Sequence, residues 1–116
     1  MKLLFVFAAF ALVSATVNTF AAEIQVQEVA VEISGTKFWL PSTITVKKGD
    51  TVKIHLMNKV PGVNSVHGFA IEAYKIQEVV DSKGKDVQFV ADKAGIFQIR
   101  CQLHPAHIGG ELVVLE

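Results

Sequence analysis

The stretch Ile96-Phe97-Gln98-Ile99-Arg100-Cys101-Gln102-Leu103 alternates apolar and polar side chains up to the single cysteine of the chain. Successive side chains of a β-strand point to opposite faces of the sheet. One face of this strand should therefore carry Phe97, Ile99, Cys101 and Leu103. We expect that face to point inward, which would bury the thiol of Cys101.

Similar short runs, separated by Gly, Pro and Asp turn signals, fill the rest of the chain after residue 23. The expected strands are 24–33, 38–46, 51–56, 67–71, 75–80, 87–91, 96–103 and 111–115. Residues 73–80 have a pattern that also suits a short helical turn. Many short strands without a convincing helical period predict an all-β fold, an antiparallel sandwich or barrel.

Residues 1–22 have the pattern of a secretory signal peptide, in which Lys2 precedes an apolar run that ends in Ala21 and Ala22. The run is shorter than the roughly 20 apolar residues needed to span a bilayer. We therefore expect cleavage and no stable membrane insertion. Residues 23–116 would form one domain, in a periplasmic or secreted protein.

Loss of Lys2 would leave 10 Lys and Arg against 11 Asp and Glu, a net charge of −1. Without a basic stripe or block, nucleic acid and anionic membranes are not expected partners. A single cysteine cannot form an internal disulfide, so in an oxidising compartment its thiol is reactive, paired with another chain or bound to a metal. We favour the metal. The main alternative is pairing with another chain, such as a second copy in a homo-oligomer.

Two histidines, His104 and His107, follow Cys101 closely, and a third, His67, begins the run 67–71. The odd positions of that run should face inward, as Cys101 does. If the strands form successive hairpins, the start of 67–71 and the end of 96–103 lie at the same end of the domain. Thiolate with imidazole is a ligand set that copper favours, although zinc is chemically allowed. The sequence predicts a mononuclear metal site of His67, Cys101, His104 and His107.

These features resemble the cupredoxin family over essentially all of residues 23–116. The run Pro41-Ser42-Thr43-Ile44-Thr45-Val46-Lys47-Lys48-Gly49-Asp50-Thr51-Val52 is similar to its second and third strands with their Gly-Asp turn. An upstream His67 with a late Cys-x-x-His loop resembles its metal-binding layout. The resemblance implies a Greek-key antiparallel β-sandwich that holds one copper ion and passes single electrons to a redox partner protein.

Two branches of that family share further motifs with the chain. The run 67–72 resembles the binuclear copper domain of cytochrome oxidase subunit II, but that centre needs two bridging cysteines and only Cys101 is present. The runs 76–79, 91–95 and 101–105 are similar to nitrosocyanin-like red copper proteins. Those have a glutamate at the position of His67, and their second loop histidine lies farther along a longer loop. The resemblance therefore leaves open whether His107 is a metal ligand.

Blue-copper cupredoxins commonly carry a weak methionine ligand after the loop histidine, but no methionine follows Met57, which falls in the opposite phase to the apolar residues of its strand. A third imidazole is a stronger donor than a thioether, which favours Cu(II) and lowers the reduction potential. We therefore expect a red or green copper site rather than an intense blue one.

Single-electron transfer without enzymatic activity is the expected function. Two alternatives are an open copper site that acts on a small molecule such as a nitrogen oxide, and copper storage or delivery. A nucleophilic pair of Cys101 and His104 is conceivable, but a β domain without a substrate-binding insertion does not favour hydrolysis.

We expect His55 to be a solvated strand residue and Trp39 and Tyr74 to be packing residues.

Overall fold

The computed structural model describes residues 11–14 and 20–116. The predicted signal peptide therefore lies largely outside the described residues. The described part contains these strands: β1 (Glu23–Ile33), β2 (Thr36–Leu40), β3 (Thr43–Lys47), β4 (Thr51–Asn58), β5 (His67–Ile71), β6 (Ile76–Val80), β7 (Lys85–Val90), β8 (Gly95–Ile99) and β9 (Gly110–Leu115). A short 3-10 helix, Glu72–Tyr74, connects β5 to β6. Among the described residues, no helix has the length and apolar character to cross a membrane.

Two sheets pack face to face. One has the strand order β2-β1-β4-β7, and the other has the order β3-β9-β8. The β5-β6 pair joins the second sheet where Ala70 forms a bridge to Arg100. The predicted β-sandwich is confirmed. Most strand pairs are antiparallel, as expected, but β1 pairs with β4 and β3 pairs with β9 in parallel.

The parallel pairs arise because the chain changes sheet at Pro41. The expected strand 38–46 is divided there, so that β2 belongs to the first sheet and β3 to the second. Proline has no N–H to donate to a ladder, and it therefore favours such a break. The crossing places β3 beside the last strand, where Ile44 pairs with Leu112.

The core lies between the sheets and is built from the alternating apolar positions of the strands. Its largest fully buried apolar side chains are Trp39, Val52, Ile54, Leu56, Phe69, Ile71, Val80, Ile99 and Leu112. The expectation that Trp39 packs in the interior is confirmed. Tyr74 packs against the edge of the core beside Phe89 and Phe97.

One acidic side chain, Glu28 of β1, is enclosed with this core. It is 0% exposed, and neither of its carboxylate oxygens has a hydrogen-bond partner among the described residues. Burial raises the pKa of Glu28 from 4.5 to about 8, because removal from water penalises the charged form. At neutral pH the folded protein therefore holds Glu28 mainly as the neutral acid.

The strand preceding the cysteine is shorter than predicted. β8 ends at Ile99, and the alternation continues only as far as Cys101, which is buried, whereas Leu103 is exposed. The expected inward position of Leu103 is therefore wrong, because Gln102 and Leu103 lie in a turn rather than in a strand. The stretch 73–80, whose pattern suited either a strand or a short helical turn, contains both. The end of the 3-10 helix is followed by strand β6, and Lys75, at φ 55°, separates them.

A close backbone approach explains why a glycine begins β9. A Cβ added to Gly110 would overlap the carbonyl oxygen of Ser42, and that oxygen accepts a hydrogen bond of 2.8 Å from the amide of Glu111. The Gly110→Ala substitution should therefore separate β9 from β3 and lower the free energy of unfolding by about 1–3 kcal/mol. Urea unfolding measures this change, and an unaltered midpoint would contradict it.

Candidate metal centre

The predicted meeting of the upstream histidine and the cysteine at one end of the sandwich is confirmed. His67 is the first residue of β5, and Cys101 lies two residues beyond the end of β8. Two hydrogen bonds between Ala70 and Arg100, of 2.8 and 3.0 Å, bring these segments side by side. The antiparallel continuation of this bridge places Gly68 opposite Gln102. The side chains of His67 and Cys101 are each 3% exposed.

Three of the four predicted ligands form a compact group. One ligand atom each from His67, Cys101 and His107 can be chosen so that all lie within 4.8 Å of one another. The rings of His67 and His107 are stacked with their centroids 4.6 Å apart. A thiol and two imidazoles at this spacing are positioned to share one metal ion.

His104 lies beside this group on its outer side. Its Nδ1 is 3.9 Å from the sulfur of Cys101, and its ring centroid is 4.4 Å from that of His107. The side chain of His104 is exposed, whereas His107 is half-buried. The structure therefore places all four predicted residues at one rim, with His107 more enclosed than His104.

The loop that carries both histidines is attached to β2. The amide of Ile108 donates to the carbonyl oxygen of Lys37 at 2.9 Å, and the amide of Trp39 donates to the carbonyl oxygen of Ile108 at 3.1 Å. Within the loop, the amide of His107 donates to the carbonyl oxygen of His104 at 3.0 Å. These bonds orient the loop towards His67.

The environment of the histidines favours their neutral forms. Burial lowers the pKa of His67 from 6.5 to about 4, with smaller contributions from the positive charges of His107, His104 and Lys37. Burial also lowers the pKa of His107, aided by His104 and Lys37. A metal binds the neutral imidazole, so these residues are ready to coordinate at neutral pH.

The donor set and its hydrogen bonding fit a copper ion. Nδ1 of His107 is buried and has no hydrogen-bond partner among the described residues, which is unusual for a buried polar atom. A bound cation would instead accept the lone pair of this nitrogen by coordination. One thiolate with imidazoles suits copper, and Cys101, His67, His107 and His104 are the residues that would hold it.

Three residues that shape this group were not predicted from the sequence. The amide of Gly68 donates a hydrogen bond of 3.1 Å to the sulfur of Cys101, Gln102 packs over Gly68, and Lys37 lies on the wall of a groove beside the histidines. The only sequence signal for Gly68 was its place after His67. Lys37 belongs to no motif, and Gln102 occupies an unspecified position of the Cys-x-x-His loop. The contacts of both side chains depend on strand pairing.

That groove has a volume of about 370 Å³. The loop of residues 60–66 forms one side, and His67, His104 and His107 form the other. Lys37 is partly compensated by Glu32, whose carboxylate lies 3.4 Å from its ammonium group. Of the three imidazoles, that of His104 is exposed to solvent beside this groove.

His55, which we expected to be a solvated strand residue, is exposed on β4. Its Nδ1 lies 2.6 Å from a carboxylate oxygen of Asp86, and it is not part of the group at the rim. His55 is therefore a natural control for substitutions of the other histidines.

Known proteins are similar to this chain in sequence or in fold. A segment of 66 residues is 38% identical to the nitrous-oxide reductase of Cupriavidus necator. It covers 54% of this chain but only 10% of that enzyme. The chain is therefore similar to a small part of the reductase.

Two solved structures share the fold at low identity. Auracyanin from Roseiflexus castenholzii superposes with a TM-score of 0.63 at 14% identity, covering 83% of this chain and all of that one. A purple cupredoxin from Nitrosopumilus maritimus gives a TM-score of 0.53 at 18% identity, covering 76% and 97%. Residues 2–114 match the profile of the cupredoxin-like domain. The chain therefore belongs to the cupredoxin family.

Proposed function

We propose that this protein holds one copper ion with Cys101, His67, His104 and His107 and transfers single electrons to a partner protein. The observation that carries this proposal is the position of the lone thiol, which is buried within 4.8 Å of ligand nitrogens of His67 and His107. His104 lies 3.9 Å from the same sulfur. An inert core cysteine needs no such neighbours.

Copper is favoured over zinc by the family and by the ligand set. Zinc accepts one sulfur and three nitrogens, but copper has the higher affinity for such sites in the divalent series. Bound copper would supply a one-electron couple between Cu(I) and Cu(II). The protein contributes ligands from a strand end and from a loop attached to β2, a frame that keeps them nearly fixed during the exchange.

The surface beside the histidines suits brief contacts with a redox partner. Ala106 and Ile108 flank His107 and are exposed, and Leu103 is exposed close to His104. The exposed imidazole of His104 provides a short path from the site to a docked protein. A small apolar surface without charged residues of its own favours transient association over a stable complex.

We place the protein in the periplasm or outside the cell, on the basis of the signal peptide pattern.

Metal analysis and voltammetry test the proposal together. Copper-loaded protein should contain one ion per chain and give a reversible one-electron wave at an electrode. A high Cu(I) affinity without any reversible wave would instead support copper storage or delivery. Preferential retention of zinc by protein recovered from its native compartment would exclude the copper assignment.

The role of His107 can be tested by substitution. The His107→Ala variant should bind copper about 10–100-fold more weakly and show an altered Cu(II) electron paramagnetic resonance spectrum, because it loses the most enclosed loop imidazole. His55→Ala is the matched control and should leave both properties unchanged. If His107→Ala also leaves them unchanged, His107 is not a ligand.

The groove beside the histidines favours a second function, small-molecule chemistry at an open copper position. Its walls include three imidazoles and the positive charge of Lys37, so a small anion or a nitrogen oxide can approach the site. Azide or nitric oxide should then change the visible spectrum of the copper-loaded protein in a saturable way. An unchanged spectrum would contradict this second function.

A further inference from the structure

The amide of Gly68 donates a hydrogen bond to the sulfur of Cys101. The N···S distance is 3.1 Å, and both groups are buried. A hydrogen bond to a thiolate lowers the electron density that its sulfur can give to a metal, which is one way in which proteins tune a copper site. Whatever fixes the peptide of Gly68 therefore affects the sulfur.

Trp39 holds this segment from the side of β2. Its indole Nε1 donates to the carbonyl oxygen of Gly68 at 2.8 Å, and its ring packs edge-on against Phe69 and His67. Trp39 is 1% exposed, so water does not replace this bond. The carbonyl group of Gly68 is thus anchored to a large, immobile side chain.

Gln102 holds the same residue from the opposite segment. A Cβ at Gly68 would overlap the side-chain amide of Gln102 and lie 2.9 Å from its backbone nitrogen, so the side chain of Gln102 occupies the space that glycine leaves free. Nε2 of Gln102 donates to the carbonyl oxygen of Glu78 in β6 at 3.0 Å. The turn after Cys101 is thereby tied to the neighbouring strand.

We propose that Gln102 and Trp39 are positioning residues, which hold the Gly68 N–H against the Cys101 sulfur and thereby set the reduction potential of the site. This inference rests on the proposed function. Gln102 fixes the distance between the two segments, and Trp39 fixes the orientation of the peptide. Loss of either contact lengthens the N–H···S bond, which leaves the sulfur a stronger donor to Cu(II).

The test uses Gln102→Ala, which empties the space over Gly68, and Trp39→Phe, which keeps a ring but removes the indole N–H. Gln102→Met fills the space without the amide and should have a smaller effect than Gln102→Ala. Gln98→Ala is the matched control, because Gln98 is an exposed glutamine on β8 close to the same cysteine. Copper-loaded Gln102→Ala and Trp39→Phe should show a lower midpoint potential and a sulfur-to-copper band at lower energy.

A second measurement does not involve copper. In the metal-free protein, hydrogen exchange of the Gly68 amide, followed by nuclear magnetic resonance, should accelerate about tenfold in Gln102→Ala, as expected for the loss of an interaction worth one hydrogen bond. Exchange rates and potentials equal to those of the parent and of Gln98→Ala would overturn the inference. Failure of the parent protein to bind copper would overturn the proposed function instead, and the exchange rates would still test the positioning.

Discussion

The Cys101→Ser variant should lose the sulfur-to-copper charge-transfer absorption entirely and bind copper more than about 100-fold more weakly. Removal of groups that only orient a metal ligand already costs about 10–100-fold in affinity, and Cys101 is the single thiol of the chain. Serine has nearly the same shape, so the buried position two residues after β8 remains filled. Competition with a copper chelator measures the affinity, and the visible spectrum reports the sulfur.

The His55→Ala variant is the control, since His55 is exposed and paired with Asp86. It should keep both the band and the affinity. Copper binding by Cys101→Ser at parental affinity would mean that the histidines bind the metal without the thiol. In that case Cys101 would be an ordinary core residue.

Glu28 should make the metal-free protein less stable as the pH rises. The carboxyl group titrates at 4.5 when it is exposed and at about 8 in the folded protein, so between these values the folded state holds a proton that the unfolded state has released. The free energy of unfolding should therefore fall with increasing pH, by up to about 1.4 kcal/mol per pH unit in this window. Above about pH 8 Glu28 is ionised in both states, and the folded state carries the full free-energy cost of the buried charge.

Replacement of Glu28 by glutamine removes this titration. The Glu28→Gln variant should unfold with a free energy close to that of the parent near pH 4.5 and should be more stable than the parent by a few kcal/mol at pH 8.5. Glu111→Gln, at an exposed glutamate of β9, should follow the parent at every pH. Denaturant unfolding from pH 4.5 to 9 tests this, and parallel curves for the parent and Glu28→Gln would contradict it.

Strands such as β3 and β4 were predictable because their apolar residues alternate with polar ones, as expected where one face of a sheet is buried in a sandwich. The sequence did not reveal that Pro41 divides one expected strand between two sheets. The resulting parallel pairs involve partners distant in the chain, such as Ile44 and Leu112. Local patterns carry no information about such crossings.

The histidines and the cysteine were predictable as a group, because strand phase and the Cys-x-x-His-x-x-His spacing both point to one rim. The relative positions of His104 and His107 were not, since the bonds that attach the loop to Lys37 and Trp39 come from a strand far away in sequence. Glu28 was also missed. It shares a face of β1 with Val26 and Ala30, but Val29 and Val31 on the opposite face are also apolar, so the pattern did not show which face is buried.

We propose that the Cys101 thiolate and three imidazoles surround a single copper ion. Electron paramagnetic resonance of the Cu(II)-loaded parent protein, recorded with its visible spectrum and its copper content, tests this most directly. We expect one copper per chain, a sulfur-to-copper band, and the resonance of a tetragonal red or green site with imidazole nitrogens. The trigonal signature of an intense blue site, or a spectrum without any sulfur-to-copper band, would contradict the claim.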